Sequence, residues 1–103
     1  MKARFIHEEN SYGELETGST TLAFVAESLR DANGITAYDN RLAGLPAGAE
    51  IALVTPNVQA AYDQAIKAGA TPLKPPHDMP WGQIISYVRD LNGFLVEICS
   101  KVG

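Results

Sequence analysis

Cysteine is nearly missing: Cys99 is the only one in 103 residues. A lone thiol excludes an intrachain disulfide framework and any multi-cysteine metal site. On a strand face near the chain end it reads as an inert buried thiol. Histidine is almost as scarce, with His7 and His77 the only two. They form no His-x-His or His-x-x-x-His spacing, so a helix-borne zinc site is excluded. His7 reads as a surface or rim residue, or as a supplementary ligand. His77 reads as a solvated residue in a Pro-rich loop. Basic residues are few. Eight Lys and Arg stand against twelve Asp and Glu, a net charge of −4 at pH 7. That balance, with no basic run, argues against a nucleic-acid partner. No apolar run is long enough for a bilayer span, so no membrane partner is expected. The opening Lys2 to Glu9 turns charged at once, unlike a secretory leader. Nucleophilic triads, Gly-rich phosphate loops and Walker-type motifs are missing too. These points together read as a soluble cytoplasmic protein.

What is present is a chain with 46% hydrophobic residues, enough for one domain with a modest core. Its clearest stretch is Trp81 to Cys99. Gln83 to Arg89 is β-branched and aromatic, Asp90-Leu91-Asn92-Gly93 supplies turn chemistry, and Phe94 to Cys99 follows as a second strand. Alternation sends Phe94, Val96 and Ile98 one way and Leu95, Glu97 and Cys99 the other. Both faces are apolar except at Glu97. A strand apolar on both faces is covered on both. Glu97 is therefore expected in a cavity or against a partner, because an unpaired buried carboxylate is costly.

The rest divides at a long connection. Lys2 to Glu9, Glu14 to Thr17 and Thr20 to Glu27 read as three strands of an antiparallel meander. Ser28 to Gly48 reads as a loop with a short turn of helix near Asp39 to Ala43, serving as a lid or a plain linker. Ala49 to Thr55 is a buried-type strand. Asn57 caps a helix over Val58 to Ala68, whose stripe is Val58, Ala61, Tyr62, Ala65 and Ile66, with Gly69 ending it. Thr71 to Lys74 reads as a short edge strand stopped by Pro75-Pro76. Residues 49 to 99 thus spell β-α-β-β-β, and residues 2 to 27 spell β-β-β.

Several side chains could carry chemistry. Glu97 reads as a metal ligand or a general acid/base, or as a carboxylate paired with a neighbouring Arg or hydroxyl. Glu50 shares a strand face with Ala52 and Val54 and repeats the situation, although near a strand start it can also reach water. If both strands line one cavity, the two carboxylates converge and could hold a cation through oxygen. Trp81 could roof a ligand site with Phe24 and Tyr87, or simply pack. Tyr38 and Arg41 in the long loop are further ligand-contact candidates.

Residues 49 to 99 resemble the second half of the glyoxalase / bleomycin resistance / extradiol dioxygenase superfamily, the vicinal oxygen chelate proteins. The matching residues are the strand Glu50-Ile51-Ala52-Leu53-Val54, the helix from Ala60-Ala61-Tyr62 to Ala68-Gly69-Ala70, Pro80-Trp81-Gly82-Gln83, Tyr87-Val88-Arg89-Asp90, and Asn92-Gly93-Phe94-Leu95-Val96-Glu97-Ile98. Residues 2 to 27 match the first-half strands more weakly. The resemblance implies an α+β fold of paired β-α-β-β-β modules, forming a cupped, mostly antiparallel sheet with helices outside. It implies one domain over residues 1–103, with a partial first module at 2–27 and a complete second module at 49–103. In metal-dependent relatives a glutamate on the last strand maps onto Glu97. The position opening the second module, often histidine, maps onto Glu50. A third ligand position maps near Thr21, a poor ligand. The first module's opening strand and helix have no counterpart before Lys2.

The resemblance therefore implies a binding protein for a small organic molecule, cationic or metal-chelated, held without turnover by Phe24, Glu50, Trp81, Tyr87 and Glu97. The alternative is a metal-dependent lyase, isomerase or dioxygenase. There Glu97 and Glu50 would hold Zn, Ni, Mn or Fe, and His7 or a partner chain would complete the set. A third reading is a vestigial cassette that keeps only a dimer interface. A missing first strand leaves an open sheet edge, which predicts a homodimer, with strand exchange as one form of it.

Overall fold

Asn57, where the sequence places a helix cap, is the cap. In a computed structural model that describes residues 2–6, 12–16 and 19–102, its side chain accepts from the Ala60 amide at 3.1 Å. Helix α2 then runs Val58–Lys67. Gly69 takes φ 108, which lets the Ala70 amide reach back to the Ala65 carbonyl at 3.0 Å and close the helix.

The chain forms two compact units, Met1–Asp39 and Asn40–Gly103. In the first unit, β1 (Lys2–Ile6), β2 (Tyr12–Glu16) and β3 (Leu22–Val25) make an antiparallel sheet of order β1-β2-β3. The meander expected from residues 2–27 is there. The expected second strand, Glu14 to Thr17, begins earlier, because Tyr12 and Gly13 pair with Val25 and Phe24 instead of turning. Thr17 and residues 7–9 of the expected first strand lie outside the described residues. The long connection holds a correction. The short helix is α1, Glu27–Ala32, and not a turn of helix near Asp39 to Ala43. Arg30 anchors it, with ion pairs to Asp31 at 2.9 Å and Asp39 at 2.8 Å. Residues 41–44 form only a turn, closed by the Gly44 amide on the Arg41 carbonyl.

The second unit carries β4 (Glu50–Val54), α2, β5 (Thr71–Asp78), β6 (Ile84–Arg89) and β7 (Leu95–Cys99). Its four strands lie in the order β4-β7-β6-β5, with β4 parallel to β7 and the other pairs antiparallel. A parallel neighbour needs a long crossover, and α2 with β5 and β6 supplies it. Strand β5 is longer than the expected Thr71 to Lys74. It continues through Pro75-Pro76 to Asp78, with register shifts at Pro72/Lys74 and Lys74/His77. An outermost strand tolerates proline at such irregular positions.

Helix α2 covers one face of this sheet. Val58 and Tyr62 pack against Val88 and Ile98, flanked by Ala61, Ala65, Ile66 and Val96. Burial of these side chains is the main source of the unit's stability, at roughly 25 cal/mol per Å² of apolar area. Ser86 lies on the same face, fully buried, and its hydroxyl donates to the Ile98 carbonyl at 2.7 Å. Alternation therefore puts Glu50, Tyr87, Glu97 and Cys99 on the face away from α2.

Candidate functional site

Register brings the acidic residues together. Glu97 on β7 stands between Ala52 of β4 and Tyr87 of β6. Glu50 lies two residues before Ala52, on the same face. The Tyr87 hydroxyl passes over β7 and donates to the Glu50 carboxylate, 3.2 Å from one oxygen and 3.5 Å from the other. Glu97 lies close enough to Glu50 and Tyr87 for both to act on its carboxyl.

The electrostatics follow from that arrangement. Burial pushes the Glu97 carboxyl above its usual range, the hydrogen bond and negative charge of Glu50 push it further, and the Tyr87 hydrogen bond opposes them. The Tyr87 phenol is pushed up to about 12, first by burial and then by the charge on Glu97 and the bond to Glu50. Burial, reinforced by the Glu97 charge, also raises the Cys99 thiol. Cys99 is buried, as expected, and a thiol held protonated is a poor nucleophile.

Trp81 is half exposed at 55%, and its position is fixed by polar contacts. Its indole N–H donates to Gln83 Oε1 at 2.8 Å, and Gln83 Nε2 donates to the Ser100 carbonyl at 3.0 Å. Phe24, on β3 of the first unit, is 53% exposed, and Thr21 immediately precedes that strand. Tyr38 is fully exposed. Arg41 donates to the Asn40 carbonyl at 2.7 Å. His7 lies outside the described residues. His77 is a correction: it sits on β5, half buried, with Nδ1 2.9 Å from the Pro75 carbonyl, not solvated in a loop.

Arg89 escaped the sequence reading. It is buried, and its guanidinium donates to the carbonyls of Gly93 at 2.9 Å, Leu42 at 3.2 Å and Arg41 at 3.0 Å. It ties the 41–42 turn to the β6–β7 hairpin. An apolar, β-branched neighbourhood gave no sign of it. A depression of about 300 Å³ lies elsewhere, lined by Asn57, Gln59, His77 and Asp78 among others, and none of Glu50, Tyr87 or Glu97 borders it.

A resident divalent ion would need more donors than this face presents. The cluster offers two neighbouring carboxyls and a phenol held protonated. No group of three His, Cys, Asp or Glu among the described residues could hold a metal. This donor set does not fit the three protein ligands of a catalytic metal. No helix among the described residues is long and apolar enough to cross a membrane.

The sequence model of the Glyoxalase/Bleomycin resistance protein/Dioxygenase superfamily matches residues 2–98. Several solved structures are similar to the chain, three of them as follows. A glyoxalase-related enzyme from Fulvimarina pelagi superposes with a TM-score of 0.78 at 20% identity, covering 96% of this chain and 69% of that one. TioX from Micromonospora sp. ML1 gives 0.68 at 22%, covering 96% and 77%. A glyoxalase/bleomycin resistance protein/dioxygenase from Nocardioides gives 0.62 at 22%, covering 98% and 67%. At these identities the likeness is one of fold. No curated protein matches the sequence.

Proposed function

The chain belongs to the glyoxalase/bleomycin resistance protein/dioxygenase superfamily, and from that premise we propose that it binds a small cationic or metal-chelating organic molecule without turning it over. The ligand sits on the sheet face that carries Glu50, Tyr87 and Glu97, and Trp81 offers it an aromatic surface. The observation that carries this reading is the convergence of Tyr87, Glu50 and Glu97 on one face, with the Tyr87 hydroxyl donating to Glu50. Two carboxyl groups near one another, with the Glu97 carboxyl raised by burial and by Glu50, mark a deficit of positive charge. A ligand cation offsets that deficit, with two carboxylates facing one positive centre. An anion meets only repulsion there. The exposed indole adds cation–π attraction where a cation approaches its face.

The second reading, a metal-dependent lyase, isomerase or dioxygenase, has less support. It requires donors beyond Glu50 and Glu97.

The test uses bleomycin, with and without copper, and spermidine as probes, followed by melting temperature and by Trp81 fluorescence. Wild type is expected to melt higher with a cationic probe, by mass action. The double variant Glu50→Gln/Glu97→Gln is expected to lose the shift. No shift in wild type with any of these probes, or an equal shift in the double variant, overturns the reading.

A further inference from the structure

Two asparagines of the chain precede a glycine, in Asn33-Gly34 and Asn92-Gly93. In such a pair the glycine nitrogen can attack the asparagine side-chain carbonyl, because no Cβ crowds the approach. In each pair the glycine amide is already engaged. Gly34 donates to the Asp31 carbonyl and Gly93 to the Asp90 carbonyl, both at 3.0 Å. Attack requires that bond to open, and the fold holds the two bonds shut to different degrees.

Gly34 is exposed, and a Cβ there would meet nothing within 4 Å. Its bond closes the end of α1, a helix of six residues with none buried. So short a helix frays at small cost. Gly93 is buried, and a Cβ there would lie 2.9 Å from the Arg41 carbonyl. The turn around it is bonded throughout. The Asp90 carboxylate accepts from the Asn92 and Phe94 amides, the Asp90 amide donates to the Phe94 carbonyl, and Arg89 donates to the Gly93 carbonyl. Opening it undoes the end of the β6–β7 hairpin.

We propose that Asn33 is a deamidation site and that the fold withholds Asn92 from the same reaction. The Gly34 nitrogen bonds to Asn33 Cγ and gives up its proton. The Cγ–Nδ2 bond breaks, and ammonia leaves with that proton. Water then opens the cyclic imide at either carbonyl, giving aspartate or isoaspartate. The product is a carboxylate at the C-terminal end of α1, where the helix carbonyls disfavour negative charge. Arg30, already shared between Asp31 and Asp39, acquires a third acidic group close by in the chain. The reaction needs no ligand, so the inference stands apart from the binding reading.

Peptide mapping by mass spectrometry tests it, on the full chain aged in mildly alkaline buffer. Trypsin releases residues 31–41 and 90–101 as separate peptides. Folded wild type is expected to lose amide in 31–41 at least about tenfold faster than in 90–101, the ratio reflecting the extra free energy of opening the hairpin. In urea the two peptides are expected to react at similar rates, since both carry the same pair. Gly34→Ala is expected to suppress the loss in 31–41, which also separates Asn33 from Asn40. If Gly34→Ala fails to fold, Asn33→Gln carries the same expectation. Equal rates in the folded chain, a faster loss in 90–101, a difference that persists in urea, or a loss in 31–41 that survives the substitution overturns the proposal.

Discussion

The Tyr87 hydroxyl lies 3.2 Å from Glu50 although their strands are not neighbours. Strand β7 runs between them, and it presents Glu97 to both. A change at Glu50 or Tyr87 therefore alters how readily Glu97 gives up its proton.

The first consequence is a pH dependence. Folding raises the Glu97 carboxyl above its usual range. Such a group adds stability below the ordinary carboxyl range and loses it as pH rises through the folded value. Urea midpoints measured across about pH 4 to 8 are expected to fall with rising pH. Glu97→Gln keeps the neutral form throughout and is expected to flatten that fall.

Tyr87 supplies a second. Its phenol titrates near 12, above the ordinary value of 10.0. Absorbance titration of the phenolates is expected to show a late step in that range, absent in Tyr87→Phe. The same group adds stability below pH 10 that is lost as pH climbs through about 12. Losing the Tyr87 hydrogen bond is also expected to raise the Glu97 carboxyl further, read by carbon NMR of its side chain.

Arg89 is expected to matter for stability rather than for ligand. Arg89→Ala removes three bonds from a buried charged donor, and orphaned carbonyls add about 1–3 kcal/mol each where they stay dry. We expect a loss of about 2–4 kcal/mol by urea denaturation. Faster amide exchange at residues 41–44 is expected alongside. Arg89→Lys is expected to recover little, because an ammonium cannot reach three carbonyls with a planar fork.

Gly93 has φ 90, and a Cβ there would lie 2.7 Å from Arg89 Nη2 and 2.9 Å from the Arg41 backbone. Gly93→Ala is expected to cost about 1–3 kcal/mol, combining backbone strain and displacement of the 41–42 turn. Gly34→Ala, also at positive φ but meeting nothing within 4 Å, is expected to cost less. Thermal melts of the two variants make the comparison.

Local patterns account for what was legible. The stripe from Val58 to Ile66 and the Asn57 cap fix α2, and alternation along β7 sets Glu97 apart from Val96 and Ile98. Alternation likewise grouped Glu50 with Ala52 and Val54, but that the two carboxylates share a face, and that Tyr87 reaches across β7, depend on strand order and register, which no local pattern encodes. Helix α1 was missed because six residues give too short a period to read, and its tie, Arg30 to Asp39, spans a loop. The extension of β5 through Pro75-Pro76 was missed because proline stops a strand only where its amide is needed, and an outer, irregular strand does not need it. Arg89 was hidden because its acceptors are backbone carbonyls, which carry no sequence signature.

The prolines of β5 also bear on how this protein behaves when concentrated. A sheet receptive on both flanks can add copies without limit and grow into a filament. Here Pro72, Pro75 and Pro76, with two register shifts, break the regular outer ladder that a further strand would need. A border so interrupted offers no regular ladder, so growth of the sheet past β5 is blocked.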